Sequence, residues 1–199
     1  MGFRANQKTE SRADKETIKP WLVSGSIKKA YDRSVKGYVY ITDLSSKLQL
    51  PKDTRRQELF LLQPFLNLQV KVLNKKEFHV EVTFSDQDKA KKRLVFFSGS
   101  QYAYSKDNIS RQPMHARIPS GMILEGVWLN LQIDVLSFVD SCFDATNFRS
   151  IDAISISGPA LVRRVFTSKS QVPDSFPYVI EREFGVEQAQ GYEDYVLQK

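Results

Sequence analysis

Residues 65–84 have the sequence FLNLQVKVLNKKEFHVEVTF, which contains two runs of alternating apolar and polar side chains. Successive side chains of a strand point to opposite faces, so each run predicts a strand with one buried face. The turn-like residues 74–77 separate the runs, and we therefore predict an antiparallel hairpin. The side chains predicted to be buried are Leu66, Leu68, Val70, Phe78, Val80 and Val82.

The same alternation recurs on both sides of this stretch. It predicts burial of Leu129, Leu131 and Ile133 in another strand. Residues 115–118 form a short run closed by Pro119, which favours an edge strand. Further strands are predicted near residues 35–41, 47–50, 93–98, 151–157 and 162–168.

The connections between these strands are mostly turns. Gly158-Pro159 is a strong turn signal. Leu136, Val139 and Phe143 have the spacing of one or two helical turns. About eight short strands without a regular alternation of strand and helix predict an all-β fold, a single antiparallel β-sandwich of the jelly-roll type.

Charge divides the chain into three predicted parts. Residues 1–20 carry five basic and three acidic side chains without apolar periodicity, and they predict a flexible charged extension. Residues 21–180 contain the sandwich. Residues 181–199, with two basic and five acidic side chains, predict an acidic tail. We expect both ends to become ordered only against partners.

The cellular compartment is indicated by what the chain lacks. Cys142 is the only cysteine, which fits a reducing compartment. The first twenty residues contain no apolar run typical of a signal peptide, and Asn6 stands where myristoylation favours Ser or Thr. No stretch approaches 18 apolar residues. We therefore expect a cytoplasmic or cytoskeletal protein that does not enter a membrane.

The chain contains few residues of the types that catalysis uses. His79 and His115 are the only histidines, and neither lies near Cys142 at the spacing of a zinc site. No nucleophile elbow or phosphate-binding loop is present. We predict no catalytic residue, no cofactor-binding residue and no metal ligand, and therefore no enzymatic activity.

Basic side chains are concentrated in four clusters, each of which is also compatible with an ordinary solvated turn. In the strand near residue 163, Arg163 and Arg164 are adjacent and should point to opposite faces. One of them therefore serves either a structural ion pair or a contact. The clusters are Lys28, Lys29, Arg33 and Lys36; Lys52, Arg55 and Arg56; Lys89, Lys91, Lys92 and Arg93; and Arg163, Arg164 and Lys169.

Six segments, in this order, resemble the domain of the cilia- and flagella-associated protein twenty family, and the wording is closest to the domain that opens its longer relatives. The resemblance implies a jelly-roll-like sandwich in axonemes, centrioles or basal bodies. It also implies binding to tubulin and to neighbouring proteins, as at the inner junction of doublet microtubules. The segments are KLQLPK (47–52), QPFL (63–66), PMHARIP (113–119), WLNLQID (128–134), FRSID (148–152) and VRRVFT (162–167).

Given such a partner, the best candidates for an acidic lattice contact are Lys52, Arg55, Arg56 and one of Arg163 or Arg164. Tubulin is strongly acidic, and exposed cations suit it as steering charges. Modest contacts to a repeating lattice add up through avidity.

Two other classes of binding protein remain open. A glycan-binding or other ligand-binding sandwich would need a row of exposed aromatic rings, for which only Trp21 and Trp128 are available. Trp128 either covers the second face of its sheet, which we favour, or serves as a docking anchor. A nucleic-acid-binding domain would need basic and aromatic residues on one face. Tyr102 and Tyr104 have only Lys106 beside them, so no nucleic acid is expected.

Overall fold

The computed structural model describes residues 8–9, 11–12, 20–97, 109–120, 123–143, 147–172 and 197–198. Its elements are numbered in chain order. They are β1 (Lys8–Thr9), β2 (Ser11–Arg12), β3 (Leu22–Ser24), β4 (Lys28–Asp32), β5 (Gly37–Thr42), β6 (Lys47–Leu50), β7 (Phe65–Val72), β8 (His79–Asp86), β9 (Lys91–Phe97), β10 (Ser110–Gln112), β11 (His115–Pro119), β12 (Trp128–Asp134), α1 (Val135–Cys142), β13 (Phe148–Ser157), β14 (Ala160–Ser168) and β15 (Leu197–Gln198).

Two sheets enclose one hydrophobic core. The seven-stranded sheet has the order β10-β11-β9-β8-β13-β6-β3. The six-stranded sheet has the order β12-β7-β14-β5-β4, with β2 also paired to β14. Among the described strands, β11 and β9 are the one parallel pair. This architecture confirms the predicted all-β sandwich.

The predicted hairpin within residues 65–84 is wrong. β7 pairs with β12 and β14 in the six-stranded sheet, whereas β8 pairs with β9 and β13 in the seven-stranded sheet. Residues 73–78 therefore carry the chain from one sheet to the other. Alternation shows which side chains share a face, but it does not identify the neighbouring strand, and two strands on opposite sides of a core show the same pattern.

The predicted core is confirmed at most positions. Seven of the nine side chains are buried. Three of the seven lie in β7 and two in β8, Phe78 directly precedes β8, and Ile133 lies in β12. Leu129 and Leu131 are only partly buried, although both pack against the core. Their strand, β12, lies at the edge of the six-stranded order, where a second neighbour is missing from the described strands. Burial there is less complete than the alternation predicts.

The predicted helical turns correspond to α1. The Asp134 carboxylate caps the helix, accepting hydrogen bonds from the Ser137 backbone N–H at 3.1 Å and from its hydroxyl at 2.7 Å. Val139 and Phe143 are buried as the spacing predicts, whereas Leu136 is exposed and Val135 takes the inward position. The helix packs its apolar side against the core.

β11 is not an edge strand. It lies between β9 and β10, pairing with β9 in parallel and with β10 in the antiparallel sense. Its short length results from the closing residue Pro119, which the sequence identified, but a short strand can be flanked on both sides.

The chain ends also contribute strands. β2 pairs with β14, placing Arg12 opposite Arg164, and β1 pairs with β15. These short strands lie inside the predicted extension and the predicted tail. Residues 13–19 and 173–196 lie outside the described residues, so the boundaries at residues 20 and 180 stay predictions.

Candidate functional site

A groove of about 800 Å³ crosses the outer face of the seven-stranded sheet. Its floor is formed by side chains whose neighbours along each strand point into the core. On β9, Leu94 and Phe96 are buried in the core, while Arg93 and Val95 line the groove. The groove therefore collects the polar side of several strands, as the period of two requires.

The register of the sheet brings basic residues from distant segments together. In the parallel pair of β11 with β9, His115 lies opposite Arg93 and Arg117 lies opposite Val95. On the other side of β9, Glu81 of β8 lies opposite Val95. The formal charge of the lining is +3, with histidine neutral. Its charged residues are Lys76, Lys91, Lys92, Arg93, Arg117, Glu77 and Glu81.

Two ion pairs engage part of this charge. Arg93 Nε lies 3.3 Å from Glu81 Oε1, and Lys91 Nζ lies 2.9 Å from Glu58 Oε1. The hydrogen bond from Lys91 is the main cause that lowers the pKa of Glu58, against a smaller opposing effect of burial. All four side chains remain partly exposed, so each pair contributes only about 0–1 kcal/mol to stability. A ligand that carries more negative charge could therefore replace either carboxylate at little cost in stability.

Lys92 has a structural role although it borders the groove. Its Nζ lies 3.3 Å from Asp86 Oδ2, and both side chains are largely buried. The same ammonium lies 5.4 Å from the centre of the Phe143 ring. Removing Lys92 would leave a buried carboxylate without this partner, which is costly. Lys92 therefore belongs to the support of the groove.

Arg117 and Lys76 are better placed for an incoming ligand. The Arg117 guanidinium lies 5.2 Å from the centre of the Phe97 ring, which orients it over the groove without neutralising its charge. Within the part of the chain that the structure describes, neither Arg117 nor Lys76 forms an ion pair. Sequence reasoning missed both residues, although HARIP was among the segments that carried the family resemblance.

The predicted contact residues Lys52, Arg55 and Arg56 lie in the loop that follows β6, and all three are exposed. Asp53 shapes this loop: its carboxylate accepts a hydrogen bond from the Arg55 backbone N–H at 3.0 Å, and its carbonyl accepts one from the Arg56 N–H at 3.2 Å. Thr54, between them in sequence, lines the groove. The loop is therefore part of the rim of the groove.

We call the exposed basic residues of the groove and of the loop after β6 the basic face. It combines the three predicted contact residues of the loop with two residues of another predicted basic cluster, Lys91 and Arg93, and with Lys76 and Arg117, which only the fold places there. The basic face consists of Lys52, Arg55, Arg56, Lys76, Lys91, Arg93 and Arg117.

Arg163 and Arg164 lie elsewhere, on β14 of the six-stranded sheet. The register shifts between Val162 and Arg164, so the expected alternation of faces is interrupted between the two arginines. Arg163 Nη1 donates to Gln69 Oε1 at 3.3 Å, and the Arg164 guanidinium lies 5.0 Å from the Phe166 ring centre. Both side chains are only partly exposed. The structure does not bring them together with the loop of Lys52.

Both tryptophans are buried, which disfavours the glycan-binding interpretation. Trp21 packs in the main core. Trp128 lies in a small cluster with Val35 and Val39, and its Nε1–H donates to Ser34 Oγ at 3.0 Å. It is thus a cover for the second face of its sheet. Tyr102 and Tyr104, considered for nucleic-acid binding, lie outside the described residues.

The described residues offer little for catalysis. Among them no group of three or more His, Cys, Asp or Glu side chains could hold a metal ion. Burial raises the pKa of the Cys142 thiol, and the nearby charge and hydrogen bond of Arg111 only partly oppose this change. The thiol is therefore held in its unreactive protonated form. In the same part of the chain, no helix is long and apolar enough to cross a membrane.

A family model described as the CFA20 domain matches residues 10–177. The matched range includes β2 through β14, and thus both sheets, the groove and the loop that carries Lys52, Arg55 and Arg56.

Proposed function

The chain belongs to the CFA20 domain family, a family associated with cilia and flagella, and on that premise we propose that it is a non-enzymatic structural component of ciliary or centriolar microtubules. In this role it binds tubulin and neighbouring microtubule-associated proteins. Its site of action is the axoneme, the centriole or the basal body.

The basic face carries this proposal. It concentrates seven cationic side chains along one groove and its rim. Four carboxylates lie among them, Glu77 and Glu81 in the lining and Asp53 and Glu58 at the rim, so the face keeps an excess of positive charge. Tubulin presents the opposite charge, so the face would steer and orient the protein on the lattice. Each exposed contact is weak on its own, and repetition along the lattice makes the attachment firm.

The test is co-sedimentation of the full chain with microtubules. Reversing the loop charges with Lys52→Glu, Arg55→Glu and Arg56→Glu should weaken binding by about 5- to 150-fold, which corresponds to roughly 1–3 kcal/mol summed over three exposed charges. The salt dependence of binding should also decrease, because fewer charge contacts remain to be screened.

A matched control separates location from net charge. Lys28→Glu, Arg33→Glu and Lys169→Glu reverse three exposed charges on the six-stranded sheet and its connections. Both triple variants bring the formal net charge from +6 to zero. The control should retain lattice binding, and both variants should melt close to the wild type. Equal losses of lattice binding in the two variants would show that net charge alone causes the effect. Unchanged binding of the loop variant would exclude this surface.

A further inference from the structure

The six-stranded sheet ends at β4. Among the described strands β4 pairs only with β5, from Lys28 opposite Ile41 to Asp32 opposite Gly37. The other side of β4 therefore presents backbone N–H and C=O groups that no described strand uses. Such an edge can accept an added strand, and proteins often protect it with lysine. Lys28 and Lys29 on β4 fit that protective role, but the aromatic residues beside them do not.

Tyr31 and Tyr38 form an exposed aromatic pair at this edge. They lie opposite each other in register, with ring centres 5.6 Å apart in an edge-to-face arrangement. Tyr31 is 56% exposed and Tyr38 is 55% exposed. Lys29 Nζ lies 4.6 Å from the centre of the Tyr38 ring. The rings and the ammonium thus form one pre-arranged platform.

The platform continues the core-facing side of the sheet beyond the sandwich. Tyr40, two residues from Tyr38 and hence on the same face, lies opposite Val162, which packs in the core. Tyr31 and Tyr38 share this face but remain exposed. At this edge the six-stranded sheet extends beyond the strands that cover its inner face, so the two tyrosine rings are exposed on the face that elsewhere packs in the core.

Charge around β4 is strongly basic. Lys28, Lys29, Arg33 and Lys36 outnumber Asp32, the one acidic residue of the segment 28–36. The Asp32 carboxylate is used within the following turn, where it accepts hydrogen bonds from the Ser34 N–H at 2.8 Å and from its hydroxyl at 2.5 Å.

We propose that β4 binds an extended acidic peptide segment of a partner protein as an additional strand. The peptide backbone would pair with the side of β4 that no described strand uses, its apolar side chains would cover Tyr31 and Tyr38, and its carboxylates, on the opposite face, would meet Lys28. This is strand addition, in which the main chain supplies affinity and alternate side chains supply specificity. The surface lies on the six-stranded sheet, whereas the basic face lies on the other.

The test uses the full chain and a labelled synthetic peptide of alternating glutamate and valine, followed by fluorescence anisotropy. Two further peptides carry N-methyl groups on one or the other alternate set of backbone amides. Methylation of the set that faces β4 should weaken binding by at least about tenfold, since several hydrogen bonds are lost together, and the other set should bind nearly as the parent does. Equal binding of all three peptides would overturn strand addition in favour of simple charge attraction.

Protein variants locate the site. Tyr38→Ala should weaken peptide binding, whereas Tyr38→Phe, which keeps the ring, should restore it. The loop variant with Lys52, Arg55 and Arg56 reversed serves as the control and should bind the peptide with less than about a threefold change, since those exposed charges follow β6 of the other sheet and are screened. A larger loss in the loop variant than in Tyr38→Ala would place the peptide on the basic face and overturn the proposal. Concentration-dependent dimers that Tyr38→Ala dissolves would make a second copy of the chain the occupant, and would also overturn it.

Discussion

Substitution of Gly158 by alanine should destabilise the protein strongly. Gly158 connects β13 in the seven-stranded sheet with β14 in the six-stranded sheet. Its φ angle is +95°, and a Cβ placed there would lie 2.1 Å from the Glu77 carbonyl oxygen and 2.9 Å from Phe78 Cα. Those atoms belong to the other crossing between the sheets, residues 73–78, so neither backbone can move aside freely.

The magnitude has two parts. The positive φ costs an alanine roughly 1–2 kcal/mol. Forcing the Cβ against fixed backbone adds about 1–3 kcal/mol, by analogy with overpacked cores. The smaller entropy of the unfolded alanine chain returns about 0.4–1 kcal/mol. We therefore expect a loss of about 2–4 kcal/mol in the free energy of unfolding.

Gly126 provides the matched control. It also has a positive φ, +78°, but a Cβ there would meet no atom within 4 Å. Gly126→Ala should therefore cost only the backbone strain, about 1 kcal/mol after the entropy correction. Urea unfolding followed by the fluorescence of the buried Trp21 and Trp128 measures both variants. Losses within about 0.5 kcal/mol of each other would refute the argument that close packing of the two crossings dominates at Gly158.

Two further predictions follow from burial and from ionisation. Leu68→Ala should lower the free energy of unfolding by about 2–5 kcal/mol, because Leu68 is fully buried. Leu131→Ala should lower it by clearly less, because Leu131 is only partly buried. Equal losses measured by urea unfolding would contradict the packing described for β12. Burial alone would raise the pKa of Asp32, but the hydrogen bonds from Ser34 together with weaker contributions lower it below its ordinary value of 3.8. The folded pKa is therefore the lower one, so Asp32 contributes stability above the unfolded pKa that is lost as pH falls through the folded pKa. Asp32→Asn should be less stable than the wild type near neutral pH, and the difference should shrink as urea unfolding is repeated below about pH 4; a constant difference would exclude this ionisation as its cause.

The sequence alone predicted the strands and most of the buried face. Leu66, Leu68 and Val70 are buried because alternation is a property of the extended backbone itself, whichever strand lies beside it. The short charged loop at Lys52, Arg55 and Arg56 was also visible from the sequence. Its three side chains are exposed, as expected of a turn that Asp53 stabilises locally.

The tertiary structure decided which strands are neighbours, and with them the functional surfaces. β7 and β8 are consecutive but belong to different sheets, and β11 joins β9 in parallel, so that Arg117 reaches the groove of Arg93. A register shift between Val162 and Arg164 interrupts the alternation of side chains between the two faces of β14, at the position of its two arginines. Local periodicity follows from covalent geometry, whereas strand pairing depends on contacts between residues far apart in sequence, and a two-residue period contains no information about them.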